Sequence, residues 1–216
     1  MIADVTIKVC GITRAPDAAT LRAAGADYLG VNLWPGSPRH VPVERRAALL
    51  REIPAAARVA VTVNPSVAEF HAARAEGFAI VQVHFDPLRS DCDPAALAAA
   101  AGPGHLWLAP KLAPGAELPP ALLGLTKTLV HDAHSRDAFG GTGQTGDWKR
   151  FQSLQAAHPN HVWILAGGLG PSNVAAAVAA GARFLDLNSG IELSPGLKSA
   201  EKMAEVAELL LKTRQS

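Results

Sequence analysis

The chain has 216 residues, 49% of them apolar and 18% charged, with a formal net charge of +1. That composition supports a sizeable core and excludes a disordered chain. There is no basic block of the kind that nucleic acid or an anionic membrane surface requires. The two cysteines lie most of a hundred positions apart, which does not make a disulfide framework and fits a reducing compartment. The N-terminus lacks the pattern of a signal peptide, and no apolar run is long enough to span a bilayer. A soluble cytoplasmic protein with no nucleic-acid or membrane partner is expected.

In chain order, Thr6–Cys10 predicts a first strand, Gly11 breaks it, and Ala15–Ala24 reads as a helix. The same alternation continues. Strands are expected at Tyr28–Leu33, Arg58–Val63, Ala79–His84, His105–Leu112, Lys127–His131, Val162–Ala166 and Arg183–Leu187. Between them, helices are expected at Val43–Glu52, Val67–Glu76, Asp93–Ala101, a poor one at Leu118–Leu123, Trp148–His158 and Ser172–Ala180, with a last helix at Ser199–Lys212. Asp93-Pro94 and Gly170-Pro171-Ser172 read as helix entries. Gly25, Gly77 and Gly181 stand where helices should end.

Strand–helix alternation implies a parallel sheet covered by helices. Eight such units predict an α/β fold, a (β/α)8 TIM barrel forming one domain over residues 1–216. An open doubly wound sheet is the alternative. Its usual Gly-rich turn after strand one is replaced here by Cys10-Gly11-Ile12-Thr13. The Pro/Gly-rich patches read as loops between units.

Both faces of a parallel barrel strand are buried, so polar residues within strands need a reason. Side chains alternate with period two. Lys8 and Cys10 share a face, as do Thr62 and Asn64, Gln82 and His84, Val130 and Asp132, and Asp186 and Asn188. These faces are expected to point into the barrel and climb to its C-terminal mouth. Strand eight neighbours strand one on closure, so Lys8 and Asp186 are predicted to pair inside, since an unpaired buried charge is costly. An ammonium beside Cys10 favours the thiolate and is expected to lower its pKa. The plain alternative is that Cys10 is a small buried apolar residue.

Asp132 ends strand six and is a candidate general acid or base. The commoner role of such an aspartate is to cap a helix or turn. His131 and His134 flank it, but no second cluster supplies metal-ligand spacing. Gly140-Gly141-Thr142-Gly143, Gly167-Gly168 after strand seven, and Ser189-Gly190 after strand eight fall where barrels often hold a phosphate on backbone N–H groups. Loop closure alone would also explain them. Arg39 follows strand two, where it could meet a substrate carboxylate or lie solvated on the surface. Cys92 is assigned no role.

Lys8-Val9-Cys10-Gly11-Ile12-Thr13, Ser37-Pro38-Arg39, Val63-Asn64, Val81-Gln82-Val83-His84, Gly140-Gly141-Thr142-Gly143 and Leu165-Ala166-Gly167-Gly168-Leu169 occur in this order, followed by Asn173, Ser189-Gly190, Glu192 and Pro195-Gly196-Lys198. This set, over essentially the whole chain, resembles the phosphoribosylanthranilate isomerase family of tryptophan biosynthesis. The resemblance implies an Amadori rearrangement of N-(5-phosphoribosyl)anthranilate, with Cys10 as general base, Asp132 as general acid and no cofactor. By similarity Arg39 would hold the anthranilate carboxylate. Gly141, Thr142, Gly143, Gly167, Gly168, Ser189 and Gly190 would hold the phosphate. The expected partner is a small phosphorylated metabolite, and the expected state a monomer or homodimer.

The chain departs from the family's usual pattern at Val31-Asn32-Leu33-Trp34, at Thr62, at Phe85 after the strand-four histidine, and at Asn188. These residues are expected to alter the pocket wall. Two alternatives accompany the leading reading. One is a paralogous barrel isomerase acting on another phosphorylated aminosugar. The other is a non-catalytic protein that binds a phosphorylated ligand, which would need neither Cys10 nor Asp132.

Overall fold

The computed structural model describes residues 1–89, 91–113, 116–132 and 148–213. Eight parallel strands close into a barrel in chain order: β1 (Thr6–Val9), β2 (Tyr28–Asn32), β3 (Arg58–Val63), β4 (Ile80–Phe85), β5 (Leu106–Pro110), β6 (Thr128–His131), β7 (Val162–Leu165) and β8 (Phe184–Leu187). Helices α1 (Ala15–Ala23), α2 (Val43–Arg51), α3 (Val67–Ala75), α4 (Pro94–Ala101), α5 (Trp148–Ala157), α6 (Val174–Ala179) and α7 (Ala200–Thr213) surround it. The expected barrel is therefore present, with most element ends within two residues of their sequence-based bounds.

Local chemistry explains the starts and stops. At α3, Ser66 Oγ accepts from the Glu69 backbone N–H at 3.2 Å, and the Glu69 carboxylate accepts from the Ser66 N–H at 2.8 Å. This reciprocal capping box satisfies two N–H groups that the helix itself cannot. At α4, Asp93 caps the N–H groups of Ala95 and Ala96, both at 3.0 Å. Gly25, Gly77 and Gly181 follow their helices with φ of +97°, +96° and +89°, as their positions predicted. The weak helix between β5 and β6 is only a 3-10 turn, Pro120–Gly124.

Two buried layers result. Ile7, Val9, Leu29, Val31, Val81, Val83, Leu185 and Leu187 face the helices. Inside the barrel, Cys10, Val59, Val61, Ile80, Trp107, Ala109, Val130, Ile164, Ala166 and Phe184 form a second cluster. Tyr28, Trp107 and Phe184 close the floor, with ring centroids 5.2, 5.6 and 5.4 Å apart. Edge-on and offset rings fill such a space well.

The interior polarity is as expected on four strands, β1, β4, β6 and β8, and reversed on β3. Register pairs Val61 with Gln82 and Thr62 with Val83, so Val61 shares the inward face of Gln82. Thr62 faces the helices, where its hydroxyl donates to the Gln82 carbonyl at 3.1 Å. That bond removes the penalty for an outward polar residue, which is why polarity misread this strand. Asn64 is not in the barrel's central cavity. Its φ of +46° makes it the turn residue at the end of β3, a conformation asparagine tolerates better than most.

Lys8 and Asp186 are paired in register on β1 and β8, with Nζ 2.6 Å from Oδ2. Lys8 is fully buried. Gly30 leaves room for it, because a Cβ there would sit 3.1 Å from the Lys8 Cε. Burial pushes the Asp186 carboxyl above the usual range, and Lys8 offsets this only in part. Lys8→Met should therefore cost about 3–5 kcal/mol where Asp186 must stay charged. An acid whose folded pKa is raised loses stability as pH rises above its unfolded value of about 4. Urea denaturation should show a smaller deficit for Lys8→Met at about pH 5 than at about pH 8, and Lys8→Met/Asp186→Asn should remove that difference. A deficit independent of pH would contradict the pairing.

Candidate active site

One cavity opens at the C-terminal mouth of the barrel. Cys10, Asn32, Arg39, Gln82, His84, Asp132, Asp186 and Asn188 line it, together with Gly167 and Gly168. Period-two alternation on β1, β4 and β8 brings most of the polar groups there. Asp132 arrives because it directly follows β6. Of the candidate site residues among those described, Lys8, Asn64, Ser189 and Gly190 are not part of the cavity wall; Lys8 reaches it through Asp186, and Ser189 and Gly190 directly follow the wall residue Asn188. Gly141, Thr142, Gly143 and His134 lie outside the described residues.

Cys10 is 7% exposed, at the base of this cavity. Burial pushes its thiol up. Lys8 pulls it down, Asp186 pushes it up again, and Lys198 pulls it down, but burial wins. The expectation that Lys8 lowers the pKa thus holds for the Lys8 contribution and fails for the sum. Desolvation of a thiolate inside the barrel outweighs one cation that is itself shared with a carboxylate. For Lys8, burial opposes the ammonium, yet Asp186 and Cys10 keep its pKa above the ordinary value.

His84 is lowered to about 4, first by burial and then by Lys8. It is neutral at physiological pH, with Nε2 2.8 Å from the Gln82 amide nitrogen. A neutral ring beside a hydrogen-bonding amide can orient a ligand without adding charge.

Arg39 is neither solvated nor unattached. It is 8% exposed, and its Nε and Nη2 donate to Glu192 Oε1 and Oε2 at 2.8 and 2.6 Å. Glu192 begins β9 (Glu192–Ser194), which pairs antiparallel with β10 (Leu197–Lys198). Lys198 Nζ donates to Glu192 Oε1 at 2.8 Å and to Asn188 Oδ1 at 2.9 Å. Burial tends to raise the Glu192 carboxyl, but Arg39 and Lys198 outweigh it and hold it at about 2. The hairpin was not expected from the sequence. Its signal was Pro195-Gly196 between two charged residues, which is short and easily read as a loop.

Gly167 and Gly168 leave β7 with φ of +105° and +65°. Asn173 holds this loop in shape. Its Nδ2 donates to the Gly168 carbonyl and its Oδ1 accepts from the Gly170 N–H, both at 3.0 Å. The entry to α6 consequently begins at Val174 rather than Ser172. The β8 loop packs directly on it: a Cβ on Gly170 would lie 2.7 Å from the Gly190 carbonyl oxygen. Ser189 and Gly190 start a 3-10 turn, Ser189–Ile191. The two loops are thus one packed unit at the mouth.

The departures from the family pattern divide by position. Asn32 and Asn188 line the cavity. Phe85 is 1% exposed and packs with the helix-facing core, as Thr62 faces outward. The expectation that all four alter the pocket wall is therefore corrected for Thr62 and Phe85. Among the described residues there is no group of His, Cys, Asp and Glu side chains able to hold a metal ion, and no helix long and apolar enough to cross a membrane.

Comparison with known proteins agrees with this geometry. The family model "N-(5'phosphoribosyl)anthranilate (PRA) isomerase" matches residues 7–209. An N-(5'-phosphoribosyl)anthranilate isomerase of Zymomonas mobilis is 33% identical over 93% of this chain and 95% of its own length. One of Bordetella bronchiseptica is 35% identical over 93% of each. The crystal structure of phosphoribosyl anthranilate isomerase from Thermus thermophilus superposes with a TM-score of 0.80 at 29% identity, covering 96% of this chain and 98% of that one. The chain belongs to the N-(5'-phosphoribosyl)anthranilate isomerase family.

Proposed function

We propose that this protein isomerises N-(5-phosphoribosyl)anthranilate to 1-(2-carboxyphenylamino)-1-deoxyribulose 5-phosphate in tryptophan biosynthesis, with Cys10 as general base and Asp132 as general acid. The observation that carries the reading is the convergence of Cys10 and Asp132, from β1 and β6, on one cavity at the barrel mouth. A thiol and a carboxyl on different strands can address different atoms of one sugar.

The chemistry follows from those two groups. Asp132 protonates the furanose ring oxygen, and the C1–O bond breaks to give an iminium ion. The iminium withdraws electrons from C2 and acidifies its proton. Cys10, as thiolate, removes that proton. The resulting enolamine tautomerises to the ketone, so the step is a net isomerisation without external oxidant or reductant. The raised pKa of Cys10 fits this order of events. A substrate cation forming beside the thiol favours the thiolate, so ring opening helps generate the base it then needs.

Arg39 is the proposed partner of the anthranilate carboxylate. Gly167, Gly168, Ser189 and Gly190, with Gly141, Thr142 and Gly143, are the proposed phosphate site. The β7 and β8 loops support this assignment because they meet as one packed unit beside the cavity. Backbone N–H groups there would bind the dianion without a lysine or arginine.

The test uses phosphoribosylanthranilate generated in situ from anthranilate and phosphoribosyl pyrophosphate by the upstream transferase, followed by its fluorescence. The protein should accelerate the loss of signal. No acceleration over buffer would refute the reading and favour a binding protein. Cys10→Ser and Asp132→Asn should each lower kcat by about 10²–10⁴-fold while leaving the folded barrel intact by circular dichroism. Asn173→Ala should act differently, because it loosens the proposed phosphate loop and touches neither acid nor base. Its KM should rise about tenfold with kcat little changed, and inhibition by inorganic phosphate should weaken in parallel. A fall in kcat with unchanged KM would remove Asn173 from that role.

A further inference from the structure

Every bond of the Glu192 carboxylate is made inside the mouth of the barrel. Oε1 accepts from Arg39 Nε at 2.8 Å, from Lys198 Nζ at 2.8 Å and from the Gly196 N–H at 3.1 Å. Oε2 accepts from Arg39 Nη2 at 2.6 Å. The side chains of Glu192 and Lys198 are 4% and 1% exposed. The hairpin that carries them is anchored in turn. Thr13 Oγ1 donates to the Gly196 carbonyl at 2.6 Å, and Lys202 Nζ donates to the Glu192 carbonyl at 2.7 Å. The carboxylate thus joins the loop after β2 to the β9–β10 hairpin, and Thr13 ties that hairpin to the segment after β1.

This block rests on the residue next to Cys10. Gly11 has φ of +74°, and a Cβ there would lie 2.5 Å from Arg39 Cδ and 2.9 Å from Asn188 Oδ1. Asn188 Oδ1 is the atom that accepts from Lys198. Arg39 and Asn188 line the cavity beside Cys10. The guanidinium and ammonium are therefore held against the Cys10–Gly11 backbone by an anion that does not line the cavity itself.

We propose that Glu192 is a positioning residue: it fixes Arg39 and Lys198 beside Cys10, setting both the direction of the guanidinium and the charge balance at the thiol. The part concerning Arg39 and substrate rests on the proposed isomerase reading. The part concerning the thiol does not. Among the described residues, the charged and titratable groups facing Cys10 are Lys8 from β1, Asp186 from β8, Arg39 from the loop after β2, His84 from β4, Asp132 after β6, and Lys198 and Glu192 from the hairpin. His84 is neutral. Glu192 neutralises one of two adjacent cations, so removing its charge makes the surroundings of the thiol more positive. Removing Lys198 does the reverse.

The two substitutions should consequently move Cys10 in opposite directions. In a Cys92→Ser background Cys10 is the sole thiol, and its alkylation by iodoacetamide can be followed across pH by intact mass. Glu192→Gln should shift the alkylation profile to lower pH by roughly one unit, and Lys198→Met should shift it to higher pH by a similar amount. With phosphoribosylanthranilate, Glu192→Gln should also raise KM at least about tenfold, with a smaller change in kcat, and Glu192→Asp should restore part of it. A purely structural role would lower the melting temperature of both variants without opposite shifts. Unmoved profiles, or profiles moving in the same direction, would overturn the proposal. Should Glu192→Gln not fold, the upward shift in Lys198→Met carries the test and its absence refutes it. Opposite alkylation shifts in a protein that does not turn over phosphoribosylanthranilate would uphold the thiol part and refute the isomerase reading alone.

Discussion

Lys8 and Asp186 are 178 positions apart in the chain and 2.6 Å apart in the barrel. Their contact exists only because β1 pairs with β8 and closes the sheet. Both groups are taken out of water, and in such a place an ion without its partner is far worse than the pair. Closure and charge therefore reinforce each other. A register slip of one residue would turn Lys8 toward the helices, among Leu185 and Leu187, and strand Asp186 inside. The pair specifies the register of the seam, and the seam puts Cys10 at the mouth. A floor of Tyr28, Trp107 and Phe184 lies beneath it, so the polar groups are confined to the upper part of the barrel.

The same burial that secures the pair works against an ionised Cys10. A thiolate there needs more positive charge than Lys8 supplies, since burial and, after it, Asp186 both oppose it. The cavity meets this from the opposite side. Arg39 is brought in by the loop after β2 and Lys198 by the β9–β10 hairpin, not by barrel strands, and Glu192 holds the two cations together against their mutual repulsion. The barrel strands thus contribute a fixed, nearly neutral pair, while the loop after β2 and the hairpin together contribute an excess of positive charge. Such a surrounding suits an anionic ligand.

What could be read from the sequence follows from how local its causes are. Strand and helix alternation, the glycines after α1, α3 and α6, and the Lys8–Asp186 pair depend on periodicity and on closure, both visible in one dimension. The inward faces of β1, β4 and β8 were legible because lysine, glutamine and aspartate have no other place to go. Threonine has one. Thr62 bonds the Gln82 carbonyl on the neighbouring strand, and its polarity carried no information about its direction. Arg39 and Glu192 lie 153 positions apart with neither on a barrel strand, so alternation says nothing of their meeting. The net direction of the Cys10 pKa was missed for a different reason. The sequence names the charges around a group but not the depth at which they act, and here depth decides.

Position also changes what the departures from the family pattern mean. Phe85 and Thr62 lie on the helix side of their strands, so their unusual identities concern packing between barrel and helices. Asn32 and Asn188 do line the cavity, but each has its side-chain oxygen committed within the protein. Asn32 Oδ1 accepts from the Trp34 N–H at 2.9 Å, shaping the start of the loop that carries Arg39. Asn188 Oδ1 accepts from Lys198. Both therefore help to place cations at the cavity, Arg39 and Lys198 respectively. Since Glu192 grips the Arg39 guanidinium along the Nε–Nη2 edge, its direction is set by the hairpin, from outside the barrel strands.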